Sequence, residues 1–188
     1  VRSGPIVGVL LAAGSATRFG ADKLAVALPD GRPLAIAALE PLLAAVQEVV
    51  AVVRAEDHSL ASALHTHGAR ISACPDAAEG MSLSLAWGVR AAPLAAGWVI
   101  ALADMPWIRS ETIGAVVSAL RSGANAVAPE YLAKRGHPVG FAAKLYGELI
   151  ALRGDEGARS VLARHPASLI ATQDAGILRD VDTPADLS

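Results

Sequence analysis

The chain has 188 residues, 53% of them hydrophobic and 18% charged, with a formal net charge of -2 when His is neutral; this excludes a disordered segment and a basic duplex-binding surface. Its single cysteine, Cys74, excludes an internal disulfide, and no apolar run approaches the length of a membrane span. A cytoplasmic protein with one domain over 1–188, and with neither nucleic acid nor membrane as a partner, is the expectation.

Residues 5–13 (PIVGVLLAA) form a continuous apolar run ending at Gly14, which predicts a strand buried on both faces. Residues 33–46 are rich in Ala and Leu behind an opening proline, a helix pattern. A β-branched run, 48–54 (EVVAVVR), predicts the next strand, and 58–67 the next helix. Residues 70–73 are a weaker strand candidate, followed by a helix over 82–92. The run 97–103 (GWVIALA) ends at Asp104, and Ser110 with Glu111 and Thr112 reads as the N-cap and first turn of a helix to 120. A short strand over 125–129, helices over 145–152 and 158–165, and a strand over 168–172 complete the alternation. Residues 130–141 break the rhythm and read as a hairpin-like excursion over the site. Near-continuous apolar strands alternating with helices predict an α/β, three-layer, Rossmann-like fold, a mostly parallel sheet with helices on both faces. Ligands in such folds lie beyond the carboxyl ends of the strands.

Two strand exits carry chemistry. Leu11, Ala12, Ala13, Gly14 and Ser15 lead into a turn containing Arg18, Gly20 and Lys23. Backbone N–H groups in such a turn converge on phosphate oxygens, and Gly permits close approach. The Arg18 fork can hold two oxygens, and Lys23, read as an exposed loop cation, adds a point charge. Five residues separate Gly14 from Gly20, and no glycine stands between them; this spacing fits neither the Walker loop nor the dinucleotide fingerprint. Asp104 precedes Met105 and Pro106, which hold the chain extended, so a carboxylate faces the ligand crevice and is a candidate magnesium ligand. Asp182 is either a second metal contact or a cap for a last helix opened by Pro184.

These segments resemble the MobA-like nucleotidyltransferases, and most closely the molybdenum cofactor cytidylyltransferases. The loop from Leu11 to Lys23 is similar to the family's LAAGxSxRxGxxK, and Asp104, Met105 and Pro106 match its metal-binding turn. Residues 80–85 (GMSLSL), 136–139 (GHPV), 154–159 (GDEGAR) and 180–187 (DVDTPADL) resemble further family segments, spread over nearly the whole chain. Cys74 stands where cytidylyl relatives often carry Asn. The resemblance implies a fold like the nucleotide-diphospho-sugar transferases. It implies transfer of CMP from CTP to a phosphorylated pterin, molybdopterin, with Mg2+ and release of pyrophosphate, and a molybdoenzyme or its maturation chaperone downstream.

In that scheme Arg18, Lys23 and Asp104 are catalytic. Leu11, Ala12, Ala13, Gly14, Ser15, Asp76, Gly80, Ser82 and Ser84 join Arg18 and Lys23 in nucleotide binding. His137, Pro138, Asp155 and Arg159 take the acceptor, and Asp104 and Asp182 the metal. An ion pair between Asp155 and Arg159 within one helix is an equally plain account of those two residues. Three other expectations stand beside the scheme: a different nucleotide and phosphorylated acceptor, a nicotinamide-nucleotide oxidoreductase, and a non-catalytic cofactor carrier.

Overall fold

The computed structural model describes residues 4–14 and 23–187. Strand β1 (Ile6–Leu11) is buried along its whole length. Ile6 and Leu10 face one core, while Val7, Val9 and Leu11 face the other, so layers are needed on both sides. Gly8 lets helix α1 (Leu34–Ala45) press close, since a Cβ at Gly8 would lie 2.9 Å from the Leu42 Cγ.

Parallel neighbours flank β1: β2 (Glu48–Arg54) on one side and β4 (Gly97–Leu102) on the other, with β3 (Arg70–Cys74) parallel to β2 at the edge. The apolar runs of β1, β2 and β4 form these strands because each is covered twice, and their ends lie within two residues of the expected ones. Helices α1, α2 (His58–Thr66) and α4 (Ser110–Arg121) cover one face, where Leu39, Leu42, Leu64, Val116 and Leu120 pack. Helices α3 (Met81–Arg90), α5 (Tyr146–Ile150) and α6 (Arg159–Arg164) cover the other, around Trp98, Phe141, Leu85, Leu149 and Val161. This is the three-layer arrangement expected from the alternation. Among the described residues no helix is long and apolar enough to cross a membrane.

The remainder of the sheet departs from the expected rhythm. Strand β5 (Ala126–Tyr131) turns at Leu132 and Ala133, both at positive φ, into β6 (Lys134–Arg135) and then β7 (Val139–Ala142). Strand β7 inserts antiparallel between β4 and β5, giving the order β3-β2-β1-β4-β7-β5-β6, and β8 (Ser168–Ala171) pairs parallel with β5. Residues 130–141 are therefore not an excursion over the site. Val139 and Phe141 are apolar enough to be buried in the sheet, and only the tip around Leu132 projects.

The cap of α4 also differs from expectation. Helix α4 begins at Ser110 and its cap position is Arg109, without a side-chain cap of its own. Asp174, 3% exposed, supplies the cap from 65 positions along the chain, accepting from Arg109 N at 2.8 Å and Thr112 Oγ1 at 2.7 Å. The carboxylate thus takes one backbone N–H and one hydroxyl at the helix start, where negative charge is favoured, while the Ser110 hydroxyl leans toward Glu111.

Candidate active site

The carboxyl ends of β1, β2, β3 and β4 lie side by side, and the candidate residues fall on two flanks of that edge. Leu11, Ala12 and Ala13 are buried at the exit of β1; Ala12 N donates to Val52 O at 2.8 Å, which extends the parallel ladder to the brink of the exposed Gly14. Ser15 and Arg18 lie outside the described residues.

On the β4 flank, Lys23 returns to the edge in a short 3₁₀ turn (Lys23–Ala25). Its Nζ stands 3.0 Å from Asp104 Oδ2 and 3.3 Å from Asp182 Oδ1. Lys23 is not the exposed loop cation the sequence suggested: its side chain is 11% exposed and its ammonium is paired with two carboxylates. Asp104 follows β4, and its backbone oxygen accepts from Val181 N at 2.9 Å, so the segment bearing Asp182 is tied directly to the turn bearing Asp104. The last helix expected from Pro184 is a single 3₁₀ turn (Pro184–Leu187). The Asp186 carboxylate reaches back to Asp182 N, Thr183 N and Thr183 Oγ1. Those donors hold the Asp186 carboxyl below its usual range.

His137 lies on the same flank, in the break between β6 and β7. Its N donates to Ile177 O at 3.0 Å, while its Nδ1 is buried without a partner among the described residues. Burial pushes the imidazole pKa down, opposed by the charge of Asp104 and reinforced by Arg135. The ring is thus kept neutral beside a carboxylate. Pro138, next to it, is buried.

On the β3 flank, Cys74 is buried at the end of its strand, and burial raises its thiol pKa. Asp76 beyond it is exposed. Gly80, at φ +126, turns the chain into α3 so tightly that a Cβ there would meet the backbone of residues 154 and 155. Ser82 and Ser84 are buried; Ser82 Oγ donates to Gly157 O at 3.1 Å and its N to Gly154 O at 3.2 Å. Asp155 accepts from Met81 N at 3.1 Å, placing a carboxylate at the start of α3.

One expectation changes here. Asp155 precedes α6 and accepts from Met81 N at the start of α3, so an ion pair with Arg159 inside one helix is not its arrangement; Arg159 opens α6 and is exposed.

One residue of this edge escaped sequence reasoning. Arg54, the last residue of β2, donates from Nε to Ala13 O at 3.2 Å, pinning the exit of β1. Its only signal in the sequence is a lone cation ending an otherwise apolar run.

Among the described residues no three His, Cys, Asp or Glu side chains converge to hold a metal. Asp104 and Asp182 offer hard oxygen donors on either side of the Lys23 Nζ. Magnesium commonly takes one or two carboxylates and completes its shell with water and phosphate oxygens, so the pair fits such an ion.

The mostly parallel sheet covered on both faces has the fold of the nucleotide-diphospho-sugar transferase class, as the solved structures it superposes on do. Within that class the chain belongs to the MobA-like NTP transferase domain family, which matches residues 8–169. It is 32% identical to the purine catabolism protein PucB of Bacillus subtilis, over 99% of this chain and 96% of that protein. It is also 32% identical to the nicotine blue oxidoreductase of Paenarthrobacter nicotinovorans, over 95% and 92%. Among solved structures, Rv0371c of Mycobacterium tuberculosis superposes with a TM-score of 0.83 at 27% identity, covering 99% of this chain and 96% of that one. The manganese complex of Rv0371c superposes with a TM-score of 0.78 at 27% identity, covering 97% and 95%. The family is one of nucleotidyltransferases, and the chain is a member at that level.

Proposed function

We propose that this protein transfers CMP from CTP to the terminal phosphate of molybdopterin and releases pyrophosphate, with Mg2+ as cofactor. The observation that carries the reading is the placement of Lys23 between Asp104 and Asp182, beside the exit of β1. A phosphate oxygen of the acceptor forms a bond to the α-phosphorus, the α–β bridging bond breaks, and pyrophosphate leaves with the electron pair. The nucleophile is already ionised near neutral pH, so no protein base is required. Catalysis then consists of positioning and charge neutralisation.

Leu11, Ala12, Ala13, Gly14 and Ser15 cradle the triphosphate, and Arg18 and Lys23 neutralise the transferring and leaving phosphates. Asp76 and Gly80 border the nucleoside, on a flank whose shape Ser82 and Ser84 hold through buried contacts. His137 and Pro138 take the acceptor from the β4 flank, and Asp155 and Arg159 from the β3 flank. Asp104 and Asp182 hold Mg2+, which when bound offsets charge on the phosphate oxygens. Ala13, where guanylyl-transferring relatives usually carry a second Gly, favours cytidine. A molybdoenzyme or its chaperone would receive the product.

The test is a panel of CTP, GTP and ATP with Mg2+ and molybdopterin, reading released pyrophosphate. Release that needs both CTP and the pterin is expected. Release with another nucleotide alone would move the specificity, and release with none would remove the transferase reading.

The 32% identity to nicotine blue oxidoreductase favours a second reading, reduction of a small molecule by a nicotinamide nucleotide bound at the same edge. The missing middle glycine of the dinucleotide fingerprint weighs against it. Loss of NADPH absorbance with a dye acceptor, without pyrophosphate release, would select it.

A further inference from the structure

The ammonium of Lys23 lies buried between two carboxylates from distant parts of the chain. We propose that Lys23 is a placeholder cation: it neutralises Asp104 and Asp182 while the site holds no nucleotide, and it must leave them before a divalent ion can bind. Metal and triphosphate then load together rather than metal first. The proposal rests on the reading of Asp104 and Asp182 as the metal ligands.

The geometry supports it in three ways. Nζ lies 3.0 Å from one carboxylate and 3.3 Å from the other, so it occupies the position where a cation is most favoured. An added dication would share those oxygens with an ammonium a few ångströms away, and like charges at that range repel, the more so because the ammonium itself is only 11% exposed. The backbone on which each carboxylate sits is tethered. Asp104 O accepts from Val181 N, and Asp182 N donates to the Asp186 carboxylate. The lysine is the part free to move, since its charge rides on a flexible four-carbon stem with three rotatable donors. A triphosphate arriving at Gly14 offers that ammonium a denser set of oxygens, and its departure uncovers the carboxylates. By linkage the two ligands then favour each other reciprocally.

The experiment uses the full chain and Mn2+ alone, with free Mn2+ followed by electron paramagnetic resonance and no nucleotide present. Lys23→Met removes the competing cation, so its Mn2+ affinity should exceed that of the unaltered protein by roughly 5- to 150-fold, the usual range of coupling between sites. Lys23→Arg keeps a cation and should stay weak. Mn2+ should also raise the thermal midpoint of Lys23→Met more than that of the parent, which gives a reading even where the variant is less stable. Equal or weaker Mn2+ binding by Lys23→Met overturns the proposal. In the double variant Lys23→Met with Asp104→Asn the gain should vanish. A gain that survives there places the metal elsewhere and sinks the ligand assignment too, an outcome separate from any result on nucleotide or acceptor specificity.

Discussion

At the scale of the residue, burial changes what Lys23 is worth. An exposed loop lysine contributes little to stability, but this one offsets two carboxylates that would otherwise face each other partly shielded from water. Lys23→Ala should therefore cost about 1–3 kcal/mol in a urea denaturation, a value between those of exposed and buried pairs. It should also lower turnover by roughly a hundred- to a thousandfold, the usual loss when one donor to developing charge is removed. A full loss of turnover with an unchanged urea midpoint would contradict the ion-pair geometry. Cys74 is a second case. It is 1% exposed and its thiol pKa is raised by burial, so little thiolate forms and little of it is reachable. Alkylation of the native protein by iodoacetamide at pH 8 should be slower than that of the urea-unfolded chain by on the order of a hundredfold, because reaction waits for opening. Rapid native labelling would show that the β3 flank is looser than its packing implies.

At the scale of the element, two glycines in helices make opposite predictions. In α3, Gly88 faces β1 and β2, and a Cβ there would collide with the Val9 side chain and lie 2.8 Å from Val52 Cγ2. Gly88→Ala should push α3 off the sheet and cost about 1–3 kcal/mol as overpacking. In α4, a Cβ at Gly114 meets nothing within 4 Å, so Gly114→Ala should stabilise by up to about 1 kcal/mol through helix propensity alone. Urea midpoints of the two variants check the pair, and a destabilised Gly114→Ala would count against the helix packing. The same contrast explains what was legible in the sequence. The runs of β1, β2 and β4 announced themselves because strands covered twice need apolar residues at every position. Strand β7 did not, since four residues returning from a hairpin carry no period of their own. The trans cap of α4 was unreadable for another reason: Asp174 sits in a polar stretch, and nothing local links it to Arg109. The positions of Gly14 and Asp104 just past strand ends were legible, whereas the burial of Lys23 was not, and Arg54 acts through a single bond to a neighbouring strand that only the sheet order creates.

At the scale of the molecule, the segment after β8 works as a strap across the carboxyl edge, and the matched family domain ends at residue 169, before it. Asp174 caps α4, Ile177 O receives His137 N, Val181 is wholly buried and donates to Asp104 O, and Asp182 reaches Lys23. Gly176 packs so closely on Trp107 O that a side chain there would collide with it, and the Arg179 guanidinium lies 4.0 Å over the Trp107 ring. Fold and site thus share one covalent connection, and the two can be separated by choosing where to cut it. Asp174→Ala removes a buried acceptor of three hydrogen bonds and strands the N–H groups of Arg109 and Gly176, so it should cost about 2–4 kcal/mol. Asp182→Asn removes one charge at a half-exposed position and should change stability by less than about 1 kcal/mol, yet weaken divalent-metal dependence of turnover. If the strap only buttresses the fold, both variants would keep the parent's metal titration. If it completes the site, the titration shifts for Asp182→Asn at nearly full stability, while Asp174→Ala unfolds earlier and retains the parental metal requirement at temperatures where it is still folded.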